Sequence, residues 1–338
     1  MFTIYDRITD KKHPKGGFAM SDIVIEAKEL TKQYKKQKAV DSATFQIRKG
    51  MICGLVGPNG AGKTTIMKML GGLVLPTDGS FSIFGGSSEA ELAHARSRMS
   101  FMIETPYAKG EMSARENLEK LRLQKGIPNA KRVDEVLEMV GLQDAGRKHV
   151  AKFSLGMRQR LGIAGALLSK PEIMVLDEPV NGLDPEGIIE IRNMLKKFNE
   201  ELDVTILISS HILAELSQLC TDYIFIRKGK LLEMTSAEEL HKLCGEFYHI
   251  HTDNDPLALV TLQNKLGIQN CDVLKDGTLR LFERLDELPL ISKTLYENGL
   301  TPVELHVHEA DLESYYMKLV GDDNAEHNQV DTKADKKG

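Results

Sequence analysis

Apolar positions in this chain follow two rhythms. Ile23 to Ala27 alternates apolar and polar residues as an edge strand does, and a second strand is predicted over Ser42 to Arg48. Met51 to Val56 is continuously apolar, the pattern of a strand covered on both faces in a parallel sheet. A helix follows from Lys63 to Leu70 and stops at Gly71-Gly72; Ser80 to Phe84 reads as one more short strand. From about Ala90 to Leu168 the spacing becomes helical: Val133, Val136, Leu137 and Val140 recur at three and four, as do Leu161, Ala164, Leu167 and Leu168. Strand runs return at Ile173 to Leu176, Val204 to Ser209 and Tyr223 to Arg227, with helices at Pro185 to Asn199 and Ile212 to Leu219. Strand alternating with helix predicts a parallel α/β core carrying a helical insertion.

After Leu243 the pattern restarts. Strand Phe247 to Thr252, helix Leu257 to Leu266 and strands Cys271 to Leu274 and Leu279 to Glu283 are followed by helix Leu288 to Asn298, strand Val303 to His308 and helix Leu312 to Val320. This βαββαβ order predicts a smaller α+β module of ferredoxin-like type. The expected organisation is a leader over 1–20 outside the core, a nucleotide-binding domain over 21–243 with its helical subdomain at about 90–170, an accessory module over 244–321, and a disordered polar tail over 322–338.

Composition narrows the class. The chain has 338 residues, 41% hydrophobic and 28% charged, as a globular protein of two domains would. No stretch approaches the roughly 18 apolar residues that span a bilayer, so membrane work would need another chain. Net charge is −5 and no basic block is long enough to track a nucleic-acid backbone, so no nucleic-acid partner is expected. Cys53, Cys220, Cys244 and Cys271 are scattered without a CxxC, which indicates neither a zinc site nor a disulfide framework, and fits core thiols in the cytosol.

Chemistry concentrates in two strings. Gly57-Pro58-Asn59-Gly60-Ala61-Gly62-Lys63-Thr64-Thr65 fits the phosphate-loop pattern between a strand and a helix. Its glycines let backbone N–H groups turn inward as an anion nest. Lys63 would neutralise phosphate oxygens, and the Thr64 hydroxyl would hold Mg2+. Downstream, the apolar run Ile173 to Leu176 delivers Asp177 and Glu178 to a strand's C-terminal end, where ligands of α/β sheets gather. Asp177 is a second candidate Mg2+ ligand, and Glu178 the candidate general base for an attacking water.

Between the two strings lies Ser154-Leu155-Gly156-Met157-Arg158-Gln159-Arg160, which resembles the signature of the ATP-binding cassette (ABC) transporters. With it, the stretch from Ile23 to Leu243 resembles one ABC transporter ATP-binding subunit, a P-loop NTPase with a parallel core sheet, an antiparallel edge sheet and a helical subdomain. The resemblance implies ATP and Mg2+ as cofactors. It implies further that Tyr34 stacks on adenine and that Asn181-Gly182-Leu183-Asp184 is the D-loop linking paired cassettes. His211, ending Ile-Leu-Ile-Ser-Ser-His, would be the switch histidine that senses the γ-phosphate. Glu104 stands where the family usually has Gln; a carboxylate can still bind Mg2+ or water but loses the amide's donor. That change, the string Ser113 to Leu118 and the C-terminal Asp-Leu-Glu-Ser-Tyr-Tyr resemble the subgroup that moves bacitracin and lantibiotic peptides.

The same resemblance makes each chain half of a machine. Ser154 and Gly156 would cap the γ-phosphate held by a second copy, so two chains would close over two ATP, most simply as a homodimer. The segment 104–116 would receive a coupling helix of a membrane permease, placing the protein in the cytoplasm on the inner face of the membrane. The other class weighed is a soluble ABC-type ATPase remodelling nucleic acid or ribosomes; the paired cassettes, basic linker or long coiled coil of such proteins are absent here. A regulatory cassette with little turnover is disfavoured by Glu178 and His211. In the accessory module, His249 and His251 share one strand face and His306 and His308 another. If those strands are neighbours, four imidazoles could meet, as a polar face or, less favoured, a metal site.

Overall fold

The computed structural model describes residues 22–104, 108–244, 247–274, 276–308, 312, 313, 315–317, 319 and 320; the predicted leader and tail lie outside the described residues. The central sheet takes β3 (Ile52–Val56), β5 (Met99–Met102), β6 (Ile173–Asp177), β7 (Thr205–Ser210), β8 (Asp222–Arg227) and β9 (Lys230–Ser236). Their order is β5-β6-β7-β3-β8-β9, parallel except for β9, which runs antiparallel to β8. Every residue of β3, β6 and β7 is buried, which is why these segments read as unbroken apolar runs.

A second sheet is antiparallel, with order β2-β1-β4, from β1 (Ile23–Tyr34), β2 (Gln37–Arg48) and β4 (Asp78–Ile83). It packs on the other through α1 (Lys63–Leu70): Ile25, Ile47, Leu55, Ile66 and Leu70 share one core cluster. Both β1 and β2 are longer than predicted. Register breaks between Ala27 and Leu30, with Glu29 at φ 51°, interrupt the alternation on which the sequence reading depends.

α2 (Glu89–Ser97) and α3 (Ala114–Gln124) each begin with a capping box, Ser88 with Glu91 and Ser113 with Glu116. Between them the four-residue β5 returns to the central sheet, inside the stretch from about Ala90 whose periodicity reads as helical. With α4 (Arg132–Met139) and α5 (Leu155–Leu167), α3 builds a helical layer around Leu118, Val136, Leu137 and Leu161. α6 (Pro185–Leu202) outruns its predicted end and stops where Asp203 turns left-handed. α7 (Leu213–Ser217) is short. Two elements had no sequence expectation: β9, whose positions are mostly half-buried and so lack a clear period, and α8 (Ala237–Cys244).

The accessory module follows the predicted order: β10 (Phe247–Thr252), α9 (Asp255–Leu266), β11 (Cys271–Val273), β12 (Leu279–Leu281), α10 (Leu288–Glu297) and β13 (Pro302–His308). The sheet order β11-β12-β10-β13, antiparallel throughout, is ferredoxin-like. Its core holds Tyr248, Ile250, Leu262, Leu281, Ile291 and Leu295. The segment after β13 leaves this module: Leu312 and Tyr315 belong to the cassette's core, with Tyr315 5.5 Å from the Phe225 ring and its hydroxyl donating to Glu233 at 2.9 Å.

Candidate nucleotide and catalytic site

The phosphate loop leaves β3 at its C-terminal end and enters α1 at Gly62, φ 113°. A Cβ at Gly57 would lie 2.2 Å from the Ile226 carbonyl oxygen, and one at Gly62 2.5 Å from that of Ala39, so backbone contact admits only glycine at either place. The loop borders a cleft of about 540 Å³, lined by Pro58 to Thr65 together with Gln37, Lys38, Ala39, Glu178 and Lys228. Gly57 is covered by Ile226 and does not line it. Lys63 is buried, and its ammonium donates to the carbonyls of Gly57 at 2.6 Å and Pro58 at 3.3 Å. These bonds fix the cation at the loop's centre.

The carboxylates of β6 meet this loop. Thr64 Oγ1 donates to Asp177 Oδ2 at 2.7 Å, and Ser209 Oγ on β7 donates to Asp177 Oδ1 at 2.5 Å. Glu178 sits at φ 49°, a left-handed conformation rare outside glycine. Its N–H is held by the Ser209 carbonyl at 3.2 Å and hydroxyl at 3.0 Å. That turn aims the carboxylate at the loop: Oε1 lies 3.3 Å from Lys63 Nζ, a charge contact without hydrogen-bond geometry, and Oε2 lies 2.6 Å from His211 Nδ1. Lys63, Thr64, Asp177, Glu178 and His211 thus form one connected group. Ser209 joins it unannounced, although a hydroxyl two residues before His211 at a buried strand's end was a usable signal.

Thr64 and Asp177 are hard oxygen donors side by side, which suits Mg2+. Glu104, the third expected ligand, pairs instead with Lys68: at φ 64° its exposed side chain lies 2.5 Å from the ammonium, which raises the Lys68 pKa through that hydrogen bond. Tyr34, at the end of β1, is 47% exposed, with Lys32 Nζ 5.1 Å from its ring centre. It does not line the cleft. The neighbouring turn residues Gln37 and Lys38 do, and the sequence reading passed over them.

Ser154 and Gly156 also lie away from the cleft. Ser154 caps α5, its hydroxyl accepting from the Met157 N–H at 3.3 Å. The turn packs on the expected D-loop stretch of its own chain: a Cβ at Gly182 would be 3.2 Å from Leu155 Cδ2, and one at Gly156 3.8 Å from Leu183 Cδ2. Asp184 caps α6, accepting from the Gly187 N–H at 3.2 Å, with Pro185 opening the helix. In the accessory module, the His249 and His306 rings stack at 4.9 Å, whereas His251 Nδ1 turns to Asp255 at 2.7 Å. Among the described residues no three potential ligands converge as a metal site would need.

The chain is 40% identical over 298 residues to the bacitracin transport ATP-binding protein BcrA of Bacillus licheniformis, covering 88% of this chain and 97% of that protein. It belongs to the ABC transporter ATP-binding proteins. The ABC transporter family model matches residues 40–181, from β2 through the phosphate loop and signature to the D-loop. The lantibiotic transport ATP-binding protein SrtF of Streptococcus pyogenes is 40% identical over 225 residues, 65% of this chain and 95% of its own. Among solved structures, an ATP-binding cassette dimer in a post-hydrolysis state bound to ADP and Pi is 26% identical, with TM-score 0.58 over 63% of this chain and 98% of that one. An ATP-binding subunit of an ABC transporter is 29% identical, with TM-score 0.57 over 65% and 92%. This cassette is accordingly an ATPase of the ABC family. No helix among its described residues is long and apolar enough to cross a membrane.

Proposed function

We propose that this cassette is the ATP-hydrolysing subunit of a transporter that moves a peptide antibiotic of the bacitracin or lantibiotic class, and that it works as a homodimer with a membrane permease. The observation that carries the hydrolytic part is the Glu178 carboxylate, held between Lys63 of the phosphate loop and His211 just after β7. The cargo class rests on likeness to the bacitracin and lantibiotic relatives, which for BcrA extends through the accessory module.

The backbone N–H groups of Gly60 to Thr64 and the Lys63 ammonium bind the phosphates, and the cleft beside Gln37 and Lys38 receives the rest of the nucleotide. Thr64 and Asp177 would hold Mg2+, which would supply positive charge to offset that of the phosphates. Glu178 orients a water for in-line attack and accepts its proton as the new P–O bond forms and the bond to the ADP oxygen breaks. His211 fixes that carboxylate by a hydrogen bond and faces the terminal phosphate.

Ser154 and Gly156 serve the ATP of the second chain, consistent with their not lining the cleft of their own. Where Ala108 and Lys109 leave the expected contact segment, a groove of about 340 Å³ is lined by these two with Phe101, Met102, Leu121 and Gly165, which suits a permease helix. Bound to its permease, the cassette would work on the cytoplasmic face of the membrane. The test is bacitracin and lantibiotic resistance in cells carrying the chain with its genomic neighbour permease: Glu178→Gln should abolish resistance, and unchanged resistance would overturn the reading.

A further inference from the structure

The ferredoxin-like sheet ends on two very different edges. β11 is three residues long and carries Asp272, which pairs with Arg280 at 3.1 Å. A short, charged edge of that kind resists pairing with another chain. β13 is seven residues long and pairs only with β10 among the described residues. It has no Lys or Arg, and its proline stands at the very start. Val303 is 64% exposed and Val307 41% exposed, with Leu305 half-buried between them on the same strand face.

The run Val303-Glu304-Leu305-His306-Val307 reads the same in both directions by chemical class. Laid antiparallel on itself about Leu305, it sets Val303 opposite Val307, Leu305 opposite Leu305, and Glu304 opposite His306. The apolar side chains would share one face of the joined sheet and the Glu–His pairs the other. Glu304 and His306 already flank His249 on that outer face, Glu304 Oε2 at 3.3 Å from His249 Nε2 and the His306 ring at 4.9 Å. A two-fold pair would therefore place each Glu304 between imidazoles of two chains.

We propose that β13 is a contact edge between two copies of this chain, joining their accessory modules into one eight-stranded antiparallel sheet without any nucleotide. Pairing of two short edges buries less than the roughly 1,200 Å² typical of stable interfaces, so alone it is a weak contact. Its value lies in raising the effective concentration of one cassette near another. The proposal does not depend on the ATP-closed dimer, because its contact needs no ATP.

Disulfide trapping of nucleotide-free full-length protein tests it. Paired opposite each other, positions 303 and 307 of two chains bring their Cα atoms within about 5.5 Å. Two copies of position 303 would be roughly 14 Å apart, too far for a bridge. Mixing the Val303→Cys and Val307→Cys chains should give at least tenfold more covalent dimer than either alone, with mass spectrometry finding the 303–307 link. Equal yields in the mixture and the single variants would overturn the proposal. Sedimentation supplies a second reading on weakly associating protein: His306→Glu should weaken self-association about tenfold, and Glu304→His with His306→Glu should restore it. No weakening, or no rescue, would count against β13.

Discussion

His211 Nδ1 lies 2.6 Å from Glu178 Oε2, while Lys63 Nζ lies 3.3 Å from the other oxygen of the same carboxylate. The start of α1 and the ends of β6 and β7 thereby converge on one carboxylate. A general base typically contributes about 10²- to 10⁴-fold in rate. Glu178→Gln should lower steady-state ATPase by that range while ATP affinity stays near that of the unmodified protein. Measured turnover within twofold of the unmodified protein would remove Glu178 from the role.

Lys63 acts on binding rather than on the chemical step alone. A charge-assisted hydrogen bond is worth about 1.5–3 kcal/mol, so Lys63→Ala should weaken ATP binding about 10- to 100-fold by calorimetry. Because its ammonium is also bonded to the Gly57 and Pro58 carbonyls, the loss should come with greater hydrogen exchange across the loop. Unaltered affinity would contradict the phosphate-loop assignment.

Complementation can show whether the site is shared. Lys63→Ala and Ser154→Ala chains should each be nearly inactive alone. Mixed, they can form dimers in which one intact phosphate loop faces one intact signature, and part of the ATPase should return. A mixture no more active than its components would argue that Ser154 serves its own chain.

Tyr315 ties the end of the chain to the cassette. Its ring is buried against Phe225 and its hydroxyl reaches Glu233. Truncation of a buried aromatic costs about 3–5 kcal/mol, so Tyr315→Ala should lower the thermal midpoint markedly. Tyr315→Phe, losing one hydrogen bond, should cost about 1 kcal/mol. Equal midpoints for all three proteins would place Tyr315 outside the core.

Arg98 grips Glu172 with two hydrogen bonds, 2.6 and 2.7 Å, and stacks on Phe84. The Arg98 hydrogen bond holds the Glu172 carboxyl below its ordinary value of 4.5. A depressed carboxylate stabilises the fold above its unfolded pKa and loses that contribution as pH falls through the folded one. Both groups are partly exposed, so the effect is at most about 1 kcal/mol. Between pH 7 and pH 3, Glu172→Gln should show a shallower loss of stability on acidification, and an identical acid profile would refute the coupling.

The phosphate loop, the Asp177-Glu178 pair and the fold class were legible because each depends on residues close together in the chain. Strands buried on both faces announce themselves, as do capped helices. β9 and the outer half of β1 did not, since one is half-buried along its length and the other breaks register at Glu29.

By itself, the sequence determined most of the element order, the anion nest with its cation, and the ferredoxin-like module, all written in local periodicity and turn chemistry. Only the tertiary structure decided which distant groups meet. It joined Ser209 to Asp177 and His211 to Glu178, and set Glu104 on Lys68. It also made β13 an edge of the accessory sheet, paired only with β10 among the described residues. Such pairings follow from strand order and backbone turns such as the left-handed Glu178, which a linear pattern of apolar and polar residues does not encode.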